Sequence, residues 1–180
     1  MNYPSVTQII APYKDFSQVP EHRLAAAQNR GSDFHVLAAA CLTGTWIPEV
    51  PANVEGYFRS FSRWAEKYVA EVIWVEKTLV HPVLRYKGTP DALIRVRGDL
   101  GLTLPDWKTP VAFDKAWIVQ TAAYRELVVK NGWPVDRIGT LQPHPEGKIA
   151  KFKEFTKSLN LGLSVFISAV NCWHFFYGSN

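Results

Sequence analysis

The sequence predicts an α/β fold in which a central mixed β-sheet is flanked by α-helices. Helix-favouring segments come first, and β-branched and aromatic residues separated by turn formers then dominate residues 72–107. Another helix, two further strands and an apolar helix follow. This order of elements is that of an α/β domain. A chain of 180 residues is expected to form one domain, residues 1–180.

The first two helices are predicted at residues 20–42 and 51–69. Pro20 suits a first helical position, runs of alanine follow it, and Gly44 is a stop signal. Gly31 leaves open whether the first segment is one helix or two. The second segment has apolar residues at helical spacing, namely Val54, Phe58, Phe61, Ala65 and Val69.

Three consecutive strands are predicted at residues 72–80, 86–96 and 100–107. Each is rich in β-branched, aromatic or alternating apolar residues, and turn-forming residues separate one from the next. Short connections of this kind join antiparallel neighbours, so we expect an antiparallel meander.

The following segments are predicted to be a helix and two more strands. Asp114 can cap a helix that runs to about Lys130, where Asn131 and the next glycine end it. Residues 137–142 and 148–155 then have the composition of strands.

The last helix is predicted at residues 157–176 and raises the question of a membrane span. Its apolar run is interrupted by polar residues, namely Asn160, Ser164, Ser168, Asn171 and His174. An uninterrupted run of about 20 apolar residues is needed to cross a bilayer. We therefore predict a buried helix that packs on the sheet, and no membrane partner.

Composition favours a folded intracellular protein. The net charge of +4 and the pI near 9.1 suit a polyanionic partner without establishing one. Cys41 and Cys172 match no metal-ligand spacing, which argues against a zinc or iron–sulfur site built from cysteine. The first twelve residues lack the pattern of a secretory signal. A reduced, cytoplasmic location is the expectation.

Candidate chemistry lies at the end of the third predicted strand. At a period of two residues, one face of this strand carries Leu100, Leu102, Leu104, Asp106 and Lys108. The leucines would anchor that face in the core, and an acid and a base would follow them. Burying two charges is costly unless they are paired or bind an ion. A cleft that holds a cation satisfies this requirement.

Asp91 supplies a second carboxylate. Gly88 permits a close approach of the backbone before it, and Pro90 restrains the chain. If the second and third predicted strands pair, Asp91 and Asp106 meet across the sheet.

These oxygens suit a divalent cation. Two carboxylates, from Asp91 and Asp106, together with the Trp107 backbone carbonyl and water form a donor set for Mg²⁺ or Mn²⁺. Such an ion would polarise a phosphate and activate a water molecule. Lys108 would orient that water or offset negative charge on the phosphate.

Each feature also has a plainer interpretation when it stands alone. An Asp-x-Lys triplet is most often a surface ion pair, and a lone Asp91 is most often a turn residue. The two aspartates by themselves also fit a sugar hydrolase. That alternative leaves Lys108, Gln120 and Tyr124 without a role, and we rank it last.

In combination, these residues resemble a known family. Pro90-Asp91 followed by Asp106-Trp107-Lys108 resembles the PD-(D/E)XK nuclease superfamily, and in particular its RecB-like exonuclease branch with phage and mitochondrial genome maintenance exonucleases. Three further motifs match in the family's order: Ser5-Val6-Thr7, Arg30-Gly31 with His35, and Gln120 with Tyr124. The resemblance covers residues 3–130.

The resemblance implies a restriction-endonuclease-like core and hydrolysis of DNA with Mg²⁺ or Mn²⁺. An exonuclease that prefers single-stranded ends fits it best; the alternatives are an endonuclease of the same superfamily and a non-catalytic nucleic-acid-binding module. Protein partners in replication, recombination or repair are also implied. The clustered cysteines of the iron–sulfur members are absent from the sequence.

The resemblance also implies roles for residues outside the Asp-x-Lys strand. Gln120 and Tyr124 share a helix face, and both can bond a phosphate or a catalytic carboxylate. His35 is a candidate metal ligand, and Arg30 a candidate contact to DNA. Glu76 shares a predicted strand face with Val72 and Trp74. A metal ligand and an exposed glutamate are equally compatible with this position. The sequence leaves phosphate contacts by Arg23, Lys115 and Arg125 open.

Overall fold

The computed structural model describes residues 3–47, 49–109 and 112–178. Five α-helices and seven strands lie within these ranges: α1 (Val6–Ile10), α2 (Glu21–Thr43), α3 (Glu55–Tyr68), β1 (Val69–Val75), β2 (Leu79–Val80), β3 (Lys87–Gly88), β4 (Ala92–Val96), β5 (Leu102–Trp107), α4 (Ala116–Lys130), β6 (Arg137–Gln142), β7 (Lys151–Glu154) and α5 (Leu159–Tyr177). Short 3₁₀ helices at Ala11–Tyr13 and Thr156–Ser158 precede α2 and α5.

The main sheet confirms the predicted α/β class with a mixed sheet. Its strand order is β1-β4-β5-β6-β7. β1, β4 and β5 form the predicted antiparallel meander, β6 runs parallel to β5, and β7 is antiparallel to β6. The helix α4 makes the crossover between the parallel pair β5 and β6. β2 and β3 form a separate two-stranded sheet.

Two apolar cores cover the two faces of the main sheet. Successive residues of β4 alternate between them, since Leu93 packs with α1, α4 and α5 while Ala92 and Ile94 pack with α2 and α3. Leu102 and Leu104 of β5 face the core on the α4 side. Asp106 has the same parity in β5, so its side chain also leaves the strand towards α4.

The predicted helices near the N-terminus are confirmed. α2 is continuous through Gly31, and it ends at Gly44, which adopts a left-handed conformation with φ +67°. α3 begins at Glu55, four residues later than predicted. The short α1 has a complete capping box, in which Ser5 and Gln8 each bond the other's backbone N–H.

The strand boundaries differ from the prediction in three places. The segment predicted at 72–80 is divided, because β1 ends at Val75 and Glu76 adopts φ +47°. The segment predicted at 86–96 is likewise divided into β3 and β4. Leu100 was predicted on the buried face of the third strand, but it precedes β5 and is 98% exposed. Only Leu102 and Leu104 therefore anchor that face.

The helix after β5 is close to the prediction. Asp114 Oδ1 accepts a hydrogen bond from the Ala116 N–H at 2.8 Å, so it stabilises the start of α4 from just before the helix. The helix ends at Lys130, and Gly132 follows with φ +95°. β6 coincides with the predicted strand, whereas β7 is shorter than the predicted 148–155.

The last helix is less buried than predicted: its inner residues share an apolar core with the sheet, but it packs mainly on other helices. α5 packs on α4 and α1, and α4 in turn contacts β5 and β6, so α5 is an outer layer. Its inner stripe includes Gly162, Phe166 and Val170, while its opposite side leaves apolar residues exposed. By length and composition alone, Thr156–Tyr177 is the one described helix that is able to cross a membrane, which is weak evidence for a span.

Candidate active site

The site lies where β4 and β5 diverge. Their last registered pair is Ile94 opposite Thr103, after which the two strands separate. Pro105 lies at this point, with its nitrogen on the β4 side of β5, and it has no N–H to donate to a neighbouring strand. The Trp107 N–H, two residues later on the same side, donates instead to Asp91 Oδ2 at 2.5 Å. The divergence therefore brings a carboxylate to the end of β5.

Asp91 is buried between α2 and the end of β5. It is 6% exposed, and its Oδ1 atom lies 3.3 Å from Nδ1 of His35. Its backbone carbonyl accepts a hydrogen bond from the Glu76 N–H at 2.9 Å. Both carboxylate oxygens and the carbonyl thus have a partner, which holds the side chain in one orientation.

Asp106 contacts two of the predicted site residues directly, Gln120 and Lys108. Its Oδ1 atom accepts a hydrogen bond from Gln120 Nε2 at 3.1 Å, and Nζ of Lys108 lies 2.5 Å from its Oδ2 atom. Gln120 Nε2 is also 3.4 Å from the Tyr124 hydroxyl. The prediction that Gln120 and Tyr124 share a helix face is confirmed, and Gln120 contacts the Asp106 carboxylate.

Close packing positions this cluster. A Cβ atom on Gly88 would lie 2.8 Å from the ring of Tyr124, so only glycine lets β3 approach α4 here. The Tyr86 hydroxyl donates to the Ala123 carbonyl at 2.9 Å and fastens the same segment to α4. The predicted close backbone approach at Gly88 is therefore confirmed, and its partner is Tyr124.

Burial and neighbouring charges raise the pKa values of Asp106 and Tyr124. Burial raises the pKa of the Asp106 carboxyl above its ordinary value; the Lys108 ammonium opposes this shift, and Asp91 adds to it. Burial, with the negative charges of Asp106 and Asp91, also raises the pKa of Tyr124. The Tyr124 hydroxyl therefore stays protonated at neutral pH and remains a hydrogen-bond donor.

His35 has a raised pKa despite its position in the fold. Burial lowers the pKa of His35. The charge and hydrogen bond of Asp91, together with the charge of Asp106, raise it by more, so the net shift is upward. A protonated His35 is an ion-pair partner for Asp91, whereas a neutral one is able to bind a metal.

This shift predicts a pH-dependent stability in metal-free protein. Because the folded pKa of His35 lies above the unfolded value, its contribution is fully present below about pH 6.5 and is lost as pH rises through the folded pKa. We expect wild type to exceed His35→Gln in free energy of unfolding by more at pH 5.5 than at pH 8.5, measured by urea unfolding with EDTA. His22→Gln, an exposed position on the same helix, is the control. Equal differences at both pH values would contradict the prediction.

Trp107 contributes in two ways. Its side chain is buried against Phe61 and Trp64, with ring centroids 5.0 and 6.3 Å away. Its carbonyl leaves the strand on the same side as its N–H, which is the side of Asp91. This is the orientation that the carbonyl would need in order to serve as the predicted metal ligand beside Asp91.

Glu76 lies elsewhere than expected, whereas the position of Arg30 leaves its predicted contact to DNA open. Glu76 was predicted within a strand, but it follows β1 and is exposed, and only its backbone N–H contacts Asp91. Its left-handed backbone ends the strand, which is why the face shared with Val72 and Trp74 does not extend to it. Arg30 lies over the ring of Tyr57 at 5.7 Å, and in the described ranges it makes no hydrogen bond to either aspartate.

Lys14 belongs to the surroundings of the site, although the sequence did not indicate it. Burial and the positive charge of Lys108 lower its pKa, while Asp114 and Asp106 raise it. Lys14 is thus within electrostatic reach of the cluster. Its position follows the 3₁₀ helix Ala11–Tyr13, and a lone lysine after such a turn carries no sequence signal.

Pro105, in contrast, is a sequence signal for the place where β4 and β5 separate, since proline in a central strand marks interrupted pairing.

The donor set fits a divalent cation in part. Asp106 Oδ2 is buried and accepts no hydrogen bond of ordinary geometry, even with the Lys108 ammonium beside it. Carboxylate and carbonyl oxygens are the ligands that Mg²⁺ and Mn²⁺ prefer. Among the residues that the structure describes, however, no three His, Cys, Asp or Glu side chains are arranged to hold a metal. A site of two carboxylates, a carbonyl and water remains.

The fold and site define an α/β protein with an acidic cluster at diverging central strands. No protein-family model and no curated protein matches the chain significantly. Among solved structures, it is similar to the crystal structure of LHK-Exo in complex with dAMP, with 15% identity, a TM-score of 0.39, and coverage of 94% of this chain and 86% of that one. A likeness this distant assigns no activity to this chain.

Proposed function

We propose that this protein is a metal-dependent DNA nuclease. One observation carries the proposal: two buried aspartates and a lysine lie together at the end of β5. Lys108 and Gln120 both contact Asp106, and Asp91 accepts a hydrogen bond from the N–H of Trp107, the residue after Asp106. Buried charges are costly, and clusters of them with shifted pKa values mark functional sites. The resemblance of these residues to the PD-(D/E)XK pattern supports phosphodiester hydrolysis over other chemistry. It also supports DNA as the substrate.

Each residue has a role in this proposal. A bound Mg²⁺ or Mn²⁺ supplies Lewis-acid polarisation of a phosphate oxygen. Asp91 and Asp106 hold it together with the Trp107 carbonyl, and His35 is a further candidate ligand when neutral. Lys108 orients the attacking water or offsets the negative charge that grows on the phosphate. Glu76, predicted as a metal ligand, is exposed after the end of β1, and Arg30 stays a candidate contact to DNA.

Gln120 and Tyr124 are uncharged, and their role in this proposal is to position neighbouring groups. The Gln120 amide fixes the Asp106 carboxylate through Oδ1, which leaves Oδ2 for the reacting centre. The protonated Tyr124 hydroxyl supports Gln120 and is available to a phosphate oxygen. Arg23, Lys115 and Arg125 stay candidates for phosphate contacts.

The finer predictions concern the substrate and the setting. We propose exonucleolytic action with preference for single-stranded ends, because the resemblance is to exonucleases of the RecB-like branch. Endonucleolytic action is the alternative within the same superfamily. A cytoplasmic location and partner proteins of replication, recombination or repair remain predictions from the sequence.

The test is hydrolysis of labelled DNA. End-labelled single-stranded, duplex and circular DNA are each incubated with the protein and Mg²⁺ or Mn²⁺, with EDTA as the control. Loss of linear strands alone indicates an exonuclease, and cutting of circles an endonuclease. The Asp106→Asn variant, purified in parallel, excludes a contaminating nuclease. Absence of metal-dependent product from all three substrates would refute the proposal.

A non-catalytic DNA-binding module is the second candidate. The absence of a three-ligand metal group among the described residues favours it. Metal titration separates the two, because a binding module yields no product at any Mg²⁺ or Mn²⁺ concentration while still binding DNA.

Gln120 offers a test of the positioning role. Gln120→Glu retains the side-chain volume but replaces the donor with a carboxylate beside Asp106, and Gln120→Ala removes the group. We expect both variants to lower kcat by roughly 10–100-fold, because supporting groups around metal ligands have effects of this size. Steady-state cleavage of single-stranded DNA measures this. A Gln120→Glu variant with wild-type kcat would indicate that Gln120 only fills space.

A further inference from the structure

An apolar cavity of about 530 Å³ lies between the end of α1 with the 3₁₀ helix Ala11–Tyr13, the start of α4, and α5. We call it the Tyr13–Phe113 cavity. Its size is within the range of roughly 300–1,000 Å³ typical of ligand pockets. Tyr13 is 65% exposed and Phe113 is 43% exposed. Apolar surface left open in this way marks a binding site in a folded protein.

Lysines surround this cavity. Lys14 directly follows Tyr13, and Lys115 lines the cavity itself. The ammonium group of Lys153 lies 3.6 Å from the centroid of the Phe113 ring. Positive charge over an aromatic face is stabilised by the ring. The ligand that matches this surface therefore has an apolar planar part and a negatively charged part.

The helix α4 connects the cavity to the aspartates, because Val119 lines the cavity and the next residue, Gln120, donates to Asp106 Oδ1 at 3.1 Å. Asp114, one of the cavity's lining residues, and Asp106 both act on the charge of Lys14. Lys108, the partner of Asp106, acts on it as well. The charge of Lys14 thus interacts with residues of both the cavity and the cluster.

We propose that the Tyr13–Phe113 cavity binds a base of a single DNA strand whose phosphates contact Lys14, Lys115 and Lys153 on the way to Asp106. The proposal rests on the proposed nuclease function. Stacking on aromatic side chains beside a basic path is how proteins hold single strands without reading their sequence. An isolated phosphate would not need the apolar walls, and an apolar peptide would not need the lysines.

The test compares two ligands in EDTA, where no cleavage interferes. Fluorescence anisotropy measures binding of a labelled oligothymidylate and of an abasic oligonucleotide of equal length, which retains the phosphates but lacks bases. Wild type, Tyr13→Ala and Phe113→Ala are compared. Phe175→Ala is the matched control, because Phe175 is an exposed aromatic residue of α5 that does not line the cavity.

We expect Tyr13→Ala and Phe113→Ala to weaken oligothymidylate binding by roughly 5- to 100-fold, the range of one lost base–aromatic stack. Binding of the abasic strand should be unchanged, and Phe175→Ala should match wild type. Phe113 also packs on Trp117, so Tyr13→Ala, at a more exposed position, keeps the test valid if Phe113→Ala does not fold.

Three outcomes would overturn the proposal. They are wild-type affinity of folded Tyr13→Ala for oligothymidylate, equal losses for both strands, and a change of oligomeric state or vesicle binding in place of a change in DNA affinity. The last would assign the cavity to a second copy or to a lipid surface. If wild type cleaves no DNA but the binding pattern holds, the nuclease proposal fails and the base site stands.

Discussion

Replacing Lys108 with alanine is expected to reduce metal-dependent DNA cleavage by at least about 100-fold, the effect of removing a group that stabilises transition-state charge. Lys108 Nζ is 2.5 Å from Asp106 Oδ2, and its positive charge opposes the rise in the pKa of that carboxyl. Without the ammonium group, burial favours the protonated acid, which is a poor metal ligand. The variant therefore loses both the charge at the phosphate and the charge of Asp106.

The control and a companion variant make this result interpretable. Lys130→Ala removes an exposed lysine of α4, 3.8 Å from Glu126, and should cleave DNA like wild type. Asp106→Asn should lose activity to a similar extent with the side-chain shape retained. Circular dichroism and thermal unfolding check that each variant is folded. Full activity of a folded Lys108→Ala protein would show that the cluster is not the catalytic centre.

Replacing Gly56 with alanine is expected to destabilise the protein by about 1–3 kcal/mol, the usual cost of forcing atoms into a packed region. A Cβ atom there would lie 1.6 Å from the Pro145 carbonyl oxygen, so the backbone itself must move. The same loop is bonded to α3, since the Ser60 hydroxyl accepts from the His144 N–H at 2.8 Å and Arg63 donates to the Gly147 carbonyl at 3.0 Å. Urea unfolding measures the loss.

Gly31→Ala is the matched control for this prediction, because it makes the same change within another helix. A Cβ atom on Gly31 meets nothing within 4 Å, and the residue is in the middle of α2. We expect Gly31→Ala to stabilise the protein by about 0.4–1 kcal/mol through helix propensity and the restricted unfolded chain. Equal effects of the two substitutions would contradict the close packing of α3 on the loop at Pro145.

Sequence signals that depend on only a few neighbouring residues predicted the helices and strands well. Gly44 ended α2 as expected, and β6 coincides with the predicted strand. Both depend on local chemistry: a glycine tolerates the left-handed conformation at a helix end, and a run of alternating residues needs no distant partner to be recognised. The antiparallel pair of β4 and β5 was predictable for a similar reason, because short connections favour antiparallel neighbours.

The wrong predictions concern where elements end and what they pack on. Period-two alternation assigned Leu100 to a buried face, but β5 has no partner that far upstream, and the residue is exposed. The apolar content of α5 predicted a buried helix, whereas its outer side is exposed and it packs mainly on α4 and α1. Alternation reports which side a residue faces only while the strand continues, and apolar content does not identify the neighbour.

The sequence by itself determined the chemical groups of the candidate site and their local spacing: Asp106 and Lys108 two apart at a strand end, and Gln120 and Tyr124 four apart on a helix. Only the tertiary structure decided that these groups meet Asp91 and His35, that β4 and β5 diverge at Pro105, and that α4 connects these groups to the Tyr13–Phe113 cavity. Side-chain periodicity is a property of one element. Contacts between distant segments depend instead on how whole elements bury their apolar faces against one another.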